Sequence, residues 1–142
     1  MGQFLLDLQD GSCFYCNKSL RSDKQAVDHF VPWSVYSSDT GHNFVLADTA
    51  CNGQKSDFLA AEVHLERWLE RNGQYGALIQ QEVGSLGFLT DMDCSHGVAR
   101  WAYSQALDHQ YLLWDGKNKA LADAQAMQHM LSLFDNHVVS VL

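Results

Sequence analysis

The fold is decided between residues 26 and 57, which read AVDHFVPWSVYSSDTGHNFVLADTACNGQKSD. Two apolar runs of strand character, 26–31 and 43–47, lie on either side of a polar loop. Pro32, the only proline of the chain, closes the first run. Asp48 follows the second run and is a typical helix N-cap, so a helix is expected to extend to about residue 55. The order predicts a strand, a loop, a second strand and a helix.

Three polar side chains of this unit have the chemistry of a hydrolytic metal centre. Asp28 and His29 are neighbours in the first strand, and Asn52 lies on the following helix. Carboxylate and amide oxygens are hard ligands that suit Mg²⁺ or Mn²⁺, and a neutral imidazole can take a proton from water. This set suits phosphodiester hydrolysis. Lys55 lies three positions after Asn52 on the same helical face, where it is expected to contact a phosphate.

An Asp-His pair by itself is more often two ordinary polar residues near a strand end. Adjacent side chains of a regular strand also point to opposite faces. We therefore expect the strand to end or bend at Asp28 and His29 if both serve one cleft.

The four cysteines are unevenly spaced. Cys13 and Cys16 form a C-x-x-C pair, Cys51 follows later, and Cys94 stands apart. In a reducing compartment such a pair is usually a metal clip or a redox dithiol. A thioredoxin-like dithiol is disfavoured because no predicted strand precedes the pair to form a βαβ unit.

The net charge of −8 argues against simple nucleic-acid binding, which normally depends on a basic face. The acidic excess lies mainly in the second half of the chain, which weakens this objection. No apolar run is long enough for a membrane helix, and the first residues lack the features of a secretory signal. A cytoplasmic protein without a membrane segment is expected.

The rest of the chain has helical spacing of its apolar residues. One helix is predicted from about Phe58 to Asn72-Gly73, and another from Ala77 to Val83. Two more are predicted around Val98–Ala106 and Leu121–Phe134. The four tryptophans are expected to anchor the core. The predicted fold class is α+β, with a compact unit at 1–60 and a mainly helical extension at 61–142 that packs on it. The alternative is one compact domain overall.

The whole string of spaced elements resembles the HNH endonucleases over roughly residues 10–60. The elements that carry this resemblance are Cys13-x-x-Cys16, Asp28-His29-x-x-Pro32, Asn43 and Cys51-Asn52-x-x-Lys55-Ser56-Asp57. The resemblance implies a ββα-metal core, in which a hairpin carries the base and a helix carries the last metal ligand.

Each site residue then takes a role by its position in the motif. The resemblance makes His29 the general base that activates water, and makes Asp28 and Asn52 the ligands of one divalent metal. Asn43 would brace the loop and orient the base. Asn52 stands where many relatives carry histidine, and its harder oxygen favours Mg²⁺ or Mn²⁺ over Zn²⁺.

Many HNH proteins also hold the hairpin and helix together with zinc on two C-x-x-C pairs. Here Cys13 and Cys16 supply the first pair, whereas the second is reduced to Asp48 and Cys51. A Cys₃Asp zinc site is therefore predicted. In the alternative, Asp48 only caps the helix and the cysteines are small buried hydrophobes.

The predicted function is a metal-dependent endonuclease that nicks or cuts DNA. Restriction or anti-phage defence is the biological role that the resemblance implies. The alternative is a non-catalytic zinc module that keeps the fold and binds nucleic acid or protein. Because the chain is acidic, a protein partner or a larger parent chain is expected to supply the basic surface.

Overall fold

The computed structural model describes residues 1–138, with side chains up to residue 135, so the last four residues of the predicted extension 61–142 lie outside the described part. The elements follow the order α1 (Gly2–Leu8), β1 (Gln25–His29), a 3₁₀ turn (Gly41–Asn43), β2 (Phe44–Asp48), α2 (Thr49–Lys55), β3 (Leu59–Ala60), α3 (Glu62–Ser85), α4 (Met92–His109), β4 (Leu112–Trp114), β5 (Lys119–Leu121) and α5 (Ala124–Val138).

The predicted strand–loop–strand–helix unit is present as β1, β2 and α2. The two strands are antiparallel, and His29 is paired with Phe44 in their register. Asp48 caps α2, because its Oδ1 accepts a hydrogen bond of 2.8 Å from the backbone N–H of Ala50. β1 ends at His29 and not at residue 31. This end agrees with the expectation that the strand ends or bends at the Asp-His pair.

The second half differs from the prediction at the Asn72-Gly73 position, where a helix end was expected. α3 is instead one helix of 24 residues. Asn72 is fully buried and its side chain hydrogen-bonds to His96 at 3.1 Å. A side chain at Gly76 would come within 2.8 Å of the Met92 sulfur. Close packing thus explains the glycine at position 76. Together with the buried contacts of Asn72, this packing outweighs the low helix propensity of glycine.

Two short strands interrupt the helices of the second half. β4 pairs in parallel with β3 and antiparallel with β5, so Leu121, expected in a helix, lies in a strand. The second half is still mainly helical, and the α+β fold class is confirmed. Within the described residues, no helix combines the length and the apolar character needed to cross a bilayer.

The main hydrophobic cluster draws residues from both halves of the chain. Phe30, just after β1, stacks on Trp68 of α3 with ring centroids 4.8 Å apart. Trp68 and Trp114 are buried anchors as expected, whereas Trp33 and Trp101 are 52% and 55% exposed, contrary to the prediction. Trp101 lines an open, mostly apolar groove of about 500 Å³.

Arg71 of α3 fixes the backbone on both sides of Asn43. It is largely buried, and its two terminal nitrogens donate to the carbonyls of His42 and Phe44, both at 2.7 Å. Burial lowers the pKa of Arg71 to about 10. The helical half therefore holds the turn that leads into β2.

Candidate active site

Asp28 lies near the end of β1 with its side chain turned into the protein. Its Oδ2 accepts a hydrogen bond of 2.6 Å from the Tyr15 hydroxyl and lies 3.2 Å from Nζ of Lys55. Within the described part of the chain, no hydrogen bond reaches Oδ1. One carboxylate oxygen is therefore held by the protein and the other is left for a ligand.

Asn52 projects from α2, three positions before Lys55. Side chains three apart on a helix share a face, so Asn52 lies on the face that Lys55 turns toward Asp28. The Asn52 side chain is half-buried, and its amide makes no hydrogen bond to any residue that the structure describes. The donor set is chemically that of a Mg²⁺ or Mn²⁺ site.

His29 ends β1 and keeps part of its ring in contact with solvent, with 27% of the side chain exposed. Its Nε2 lies 2.7 Å from Oδ1 of Asp39 in the loop between the strands. The ring packs against Trp33 and Phe44, with centroid distances of 5.6 and 5.3 Å. If Nε2 carries the proton that Asp39 accepts, Nδ1 is a free acceptor.

Asn43 braces the segment that follows His29. Its Oδ1 accepts from the backbone N–H of Val31 at 2.8 Å, and its amide donates to the Val31 carbonyl at 2.9 Å. The Asn43 carbonyl also accepts from the N–H of Phe30 at 2.8 Å. These bonds close the loop and fix the direction in which the chain leaves His29.

Lys55 is placed differently from the predicted phosphate contact. It has no exposed surface, and its Nζ contacts Asp28 Oδ2 and donates to the His29 carbonyl at 3.1 Å. Burial lowers the pKa of Lys55, while the charge of Asp28 opposes this shift. In this arrangement Lys55 neutralises Asp28 and holds the strand end.

The thiols of Cys13, Cys16 and Cys51 lie within 4.8 Å of one another. Zinc–sulfur bonds of about 2.3 Å in a tetrahedron put sulfurs about 3.8 Å apart, so a small contraction makes these three thiols fit zinc. Asp48 does not join the group: its carboxylate caps α2, and its backbone N–H donates to the Cys13 sulfur at 3.3 Å. The role of Asp48 as the fourth ligand stays a prediction.

The crowding of the three thiols also favours a cation. Burial raises the pKa of Cys51 to about 12, and the neighbouring sulfurs of Cys13 and Cys16 add to the shift. Without a positive charge nearby, the Cys51 thiol therefore keeps its proton. Zinc would supply that charge and deprotonate its ligands.

Two residues at this site were not singled out from the sequence, namely Tyr15 and Asp39. Tyr15 stands inside the C-x-x-C loop and Asp39 in a polar loop ten positions after His29. Their positions close to the motif residues are the only signal that the sequence offers, because the contacts depend on how the loops fold back on β1.

Residues 13–61 match the family model described as HNH endonuclease. This segment is therefore similar to the HNH endonucleases. The matched segment contains the whole ββα unit and the three clustered cysteines. No curated protein matches the chain.

The HNH assignment supports a nuclease domain that acts on nucleic acid and uses a divalent metal. It also agrees with the partial zinc set of Cys13, Cys16 and Cys51. Residues 62–142 lie outside the matched segment, although their helices pack against it.

Proposed function

We propose that this protein is a metal-dependent endonuclease that hydrolyses DNA phosphodiester bonds, with His29 as general base. The observation that carries the proposal is the pair at the end of β1: a partly exposed His29 held through Nε2 by Asp39, directly after the carboxylate of Asp28. A base that is oriented through one nitrogen can use the other for proton transfer.

The proposed role of the chain's own residues follows from these contacts. Asp39 accepts a hydrogen bond from Nε2–H and so favours the imidazole tautomer whose Nδ1 is unprotonated. Nδ1 then takes the proton of the attacking water. Asn43 is a positioning residue, since its two bonds to Val31 keep the loop after His29 in place.

Asp28 and Asn52 are proposed to hold one Mg²⁺ or Mn²⁺ through carboxylate and amide oxygens. When bound, the metal stabilises the negative charge on the phosphate and on the leaving 3′ oxygen, so the products carry a 5′ phosphate and a 3′ hydroxyl. The free Oδ1 of Asp28 and the unpartnered amide of Asn52 support this assignment among the described residues.

Cys13, Cys16 and Cys51 are proposed to hold a structural zinc that joins the N-terminal loop to α2. Asp48 would complete the site only if its carboxylate leaves the helix cap. Zinc here has no part in the hydrolysis.

The net negative charge of the chain opposes its approach to DNA. With Lys55 buried, the exposed cations before β1 are Lys18, Arg21 and Lys24. We propose that a protein partner or a larger parent chain adds basic surface, and that the protein works in the cytoplasm. The defence role rests on the family resemblance alone.

The test is cleavage of supercoiled plasmid with Mg²⁺ or Mn²⁺ by the wild type, by His29→Ala and by His109→Ala. His109 is an exposed histidine of α4 and serves as the matched control. Loss of cleavage in His29→Ala alone is expected. Equal cleavage by all three proteins contradicts His29 as the base, and no cleavage by the wild type leaves two readings, the non-catalytic zinc module or a missing partner that supplies the basic surface.

A further inference from the structure

The hydroxyl of Tyr15 reaches the proposed metal ligand Asp28 from inside the C-x-x-C loop. Its 2.6 Å hydrogen bond to Oδ2 is short, as expected when a hydroxyl donates to a carboxylate. Tyr15 is almost fully buried. The bond is therefore shielded from water and is stronger than the same contact at a surface.

The Tyr15 ring has little freedom to move. Phe14, His64 and Trp114 each pack edge-on against it, with centroid distances of 5.2 Å in all three pairs. The loop itself is tied to β2, because the N–H of Phe14 donates to the Leu46 carbonyl at 3.0 Å. The hydroxyl is thus delivered to Asp28 from a preorganised position.

Tyr15 and Lys55 both approach Oδ2 of Asp28, at 2.6 and 3.2 Å, and Oδ1 accepts no hydrogen bond from any described residue. Together they restrict the rotation of the carboxylate about its last bond. A carboxylate that is held by one oxygen presents the other in a defined direction, which is how outer partners raise the affinity of a metal ligand.

We propose that Tyr15 is a positioning residue of the metal centre, which orients Asp28 so that Oδ1 receives the divalent ion. The proposal rests on the proposed function, since it needs a metal on Asp28. The C-x-x-C loop then has a second role besides carrying the thiols, because it also carries the hydroxyl that sets the affinity for the catalytic ion.

The experiment compares Mn²⁺ binding to the wild type, Tyr15→Phe and Tyr103→Phe by electron paramagnetic resonance of free Mn²⁺. Tyr103 is the matched control, because its fully buried hydroxyl also makes one short hydrogen bond, 2.5 Å to the Ala60 carbonyl. Thermal unfolding of both variants checks that the fold is intact.

The Mn²⁺ dissociation constant of Tyr15→Phe is expected to rise about tenfold, and that of Tyr103→Phe to stay within twofold of the wild type. At saturating Mn²⁺, plasmid cleavage by Tyr15→Phe should return close to the wild-type rate. Such a split between metal affinity and maximal rate does not arise from general loosening of the core.

An unchanged dissociation constant in Tyr15→Phe overturns the proposal and leaves the proposed function intact. An equal rise in both tyrosine variants overturns it as well, since the effect would then be general. The variant Asp28→Ala tests the proposed metal site itself. If it binds Mn²⁺ as tightly as the wild type, the ion is not on Asp28, and both the metal site and the positioning role of Tyr15 are wrong.

Discussion

Nε2 of His29 lies 2.7 Å from Oδ1 of Asp39, so the proposed base is paired with a carboxylate of the loop between β1 and β2. We predict that Asp39→Ala slows cleavage by about tenfold or more, but less than His29→Ala, because the imidazole stays in place while its orientation and tautomer are no longer fixed. General bases contribute roughly 10²- to 10⁴-fold in rate, which sets the upper limit. Single-turnover cleavage at saturating metal measures the effect.

The control for Asp39 is Asp23→Ala. Asp23 is an exposed carboxylate that pairs with Arg21 at the surface and has no other ion pair within the described part of the chain. Equal rates for Asp39→Ala and the wild type would show that Asp39 is an incidental neighbour.

The Mn²⁺ concentration that cleavage requires tests whether Asn52 is a metal ligand. Asn52→Ala should raise the Mn²⁺ concentration that gives half-maximal cleavage by about 10- to 100-fold, because one of two protein ligands is lost. Gln54→Ala is the matched control, an exposed amide on the same helix. A titration of Mn²⁺ in the cleavage assay distinguishes them, and an unchanged midpoint for Asn52→Ala would remove Asn52 from the site.

Zinc content tests the cysteine cluster. Elemental analysis of the wild type should give one zinc per chain, and Cys51→Ser should lose it and melt roughly 10 °C lower or more. Cys94→Ser should behave as the wild type, because Cys94 is exposed and lies outside the cluster. A wild-type protein without zinc would show that the thiols have a packing role only.

The buried ion pair of Lys55 and Asp28 predicts a large stability effect. Lys55→Met leaves the charge of Asp28 buried with no cation beside it, which costs about 3–5 kcal/mol of the free energy of unfolding. Lys24→Met, at an exposed position, should cost little. The double variant Lys55→Met with Asp28→Asn should recover part of the loss in urea unfolding. No loss in Lys55→Met would mean that the pair is not formed in solution.

Acid should destabilise the protein through its buried histidines. His42 and His64 are buried, and their Nδ1 atoms have no hydrogen-bond partner among the residues that the structure describes. Burial lowers the pKa of both from the ordinary 6.5. The unfolded chain therefore binds protons that the folded chain does not, so stability is lost as pH falls below about 6.5.

This loss can be measured as the drop in melting temperature between pH 7.5 and 5.5. His64→Gln should reduce the drop, whereas His109→Gln, at an exposed position, should leave it unchanged. An equal drop in His64→Gln and the wild type would contradict the contribution of His64.

The ββα unit could be predicted from the sequence because its signals are local. The apolar run that Pro32 closes, the cap at Asp48 and the spacing of Asn52 on α2 depend on residues near in the chain. The elements that carry Asp28, His29 and Asn52 could therefore be predicted from the sequence, whereas Asn43, expected at the start of the second strand, lies in the 3₁₀ turn before it.

Only the tertiary structure decided which partners these residues have. Lys55 was expected to face a phosphate, but it is buried where α2 packs on β1, and the neighbouring charge of Asp28 offsets much of the cost of its desolvation. Tyr15 and Asp39 reach the site through loops whose course no local pattern specifies. The helix end predicted at Asn72-Gly73 is absent for a similar reason. The low helix propensity of glycine is worth about 1 kcal/mol, and the buried packing of α3 outweighs it.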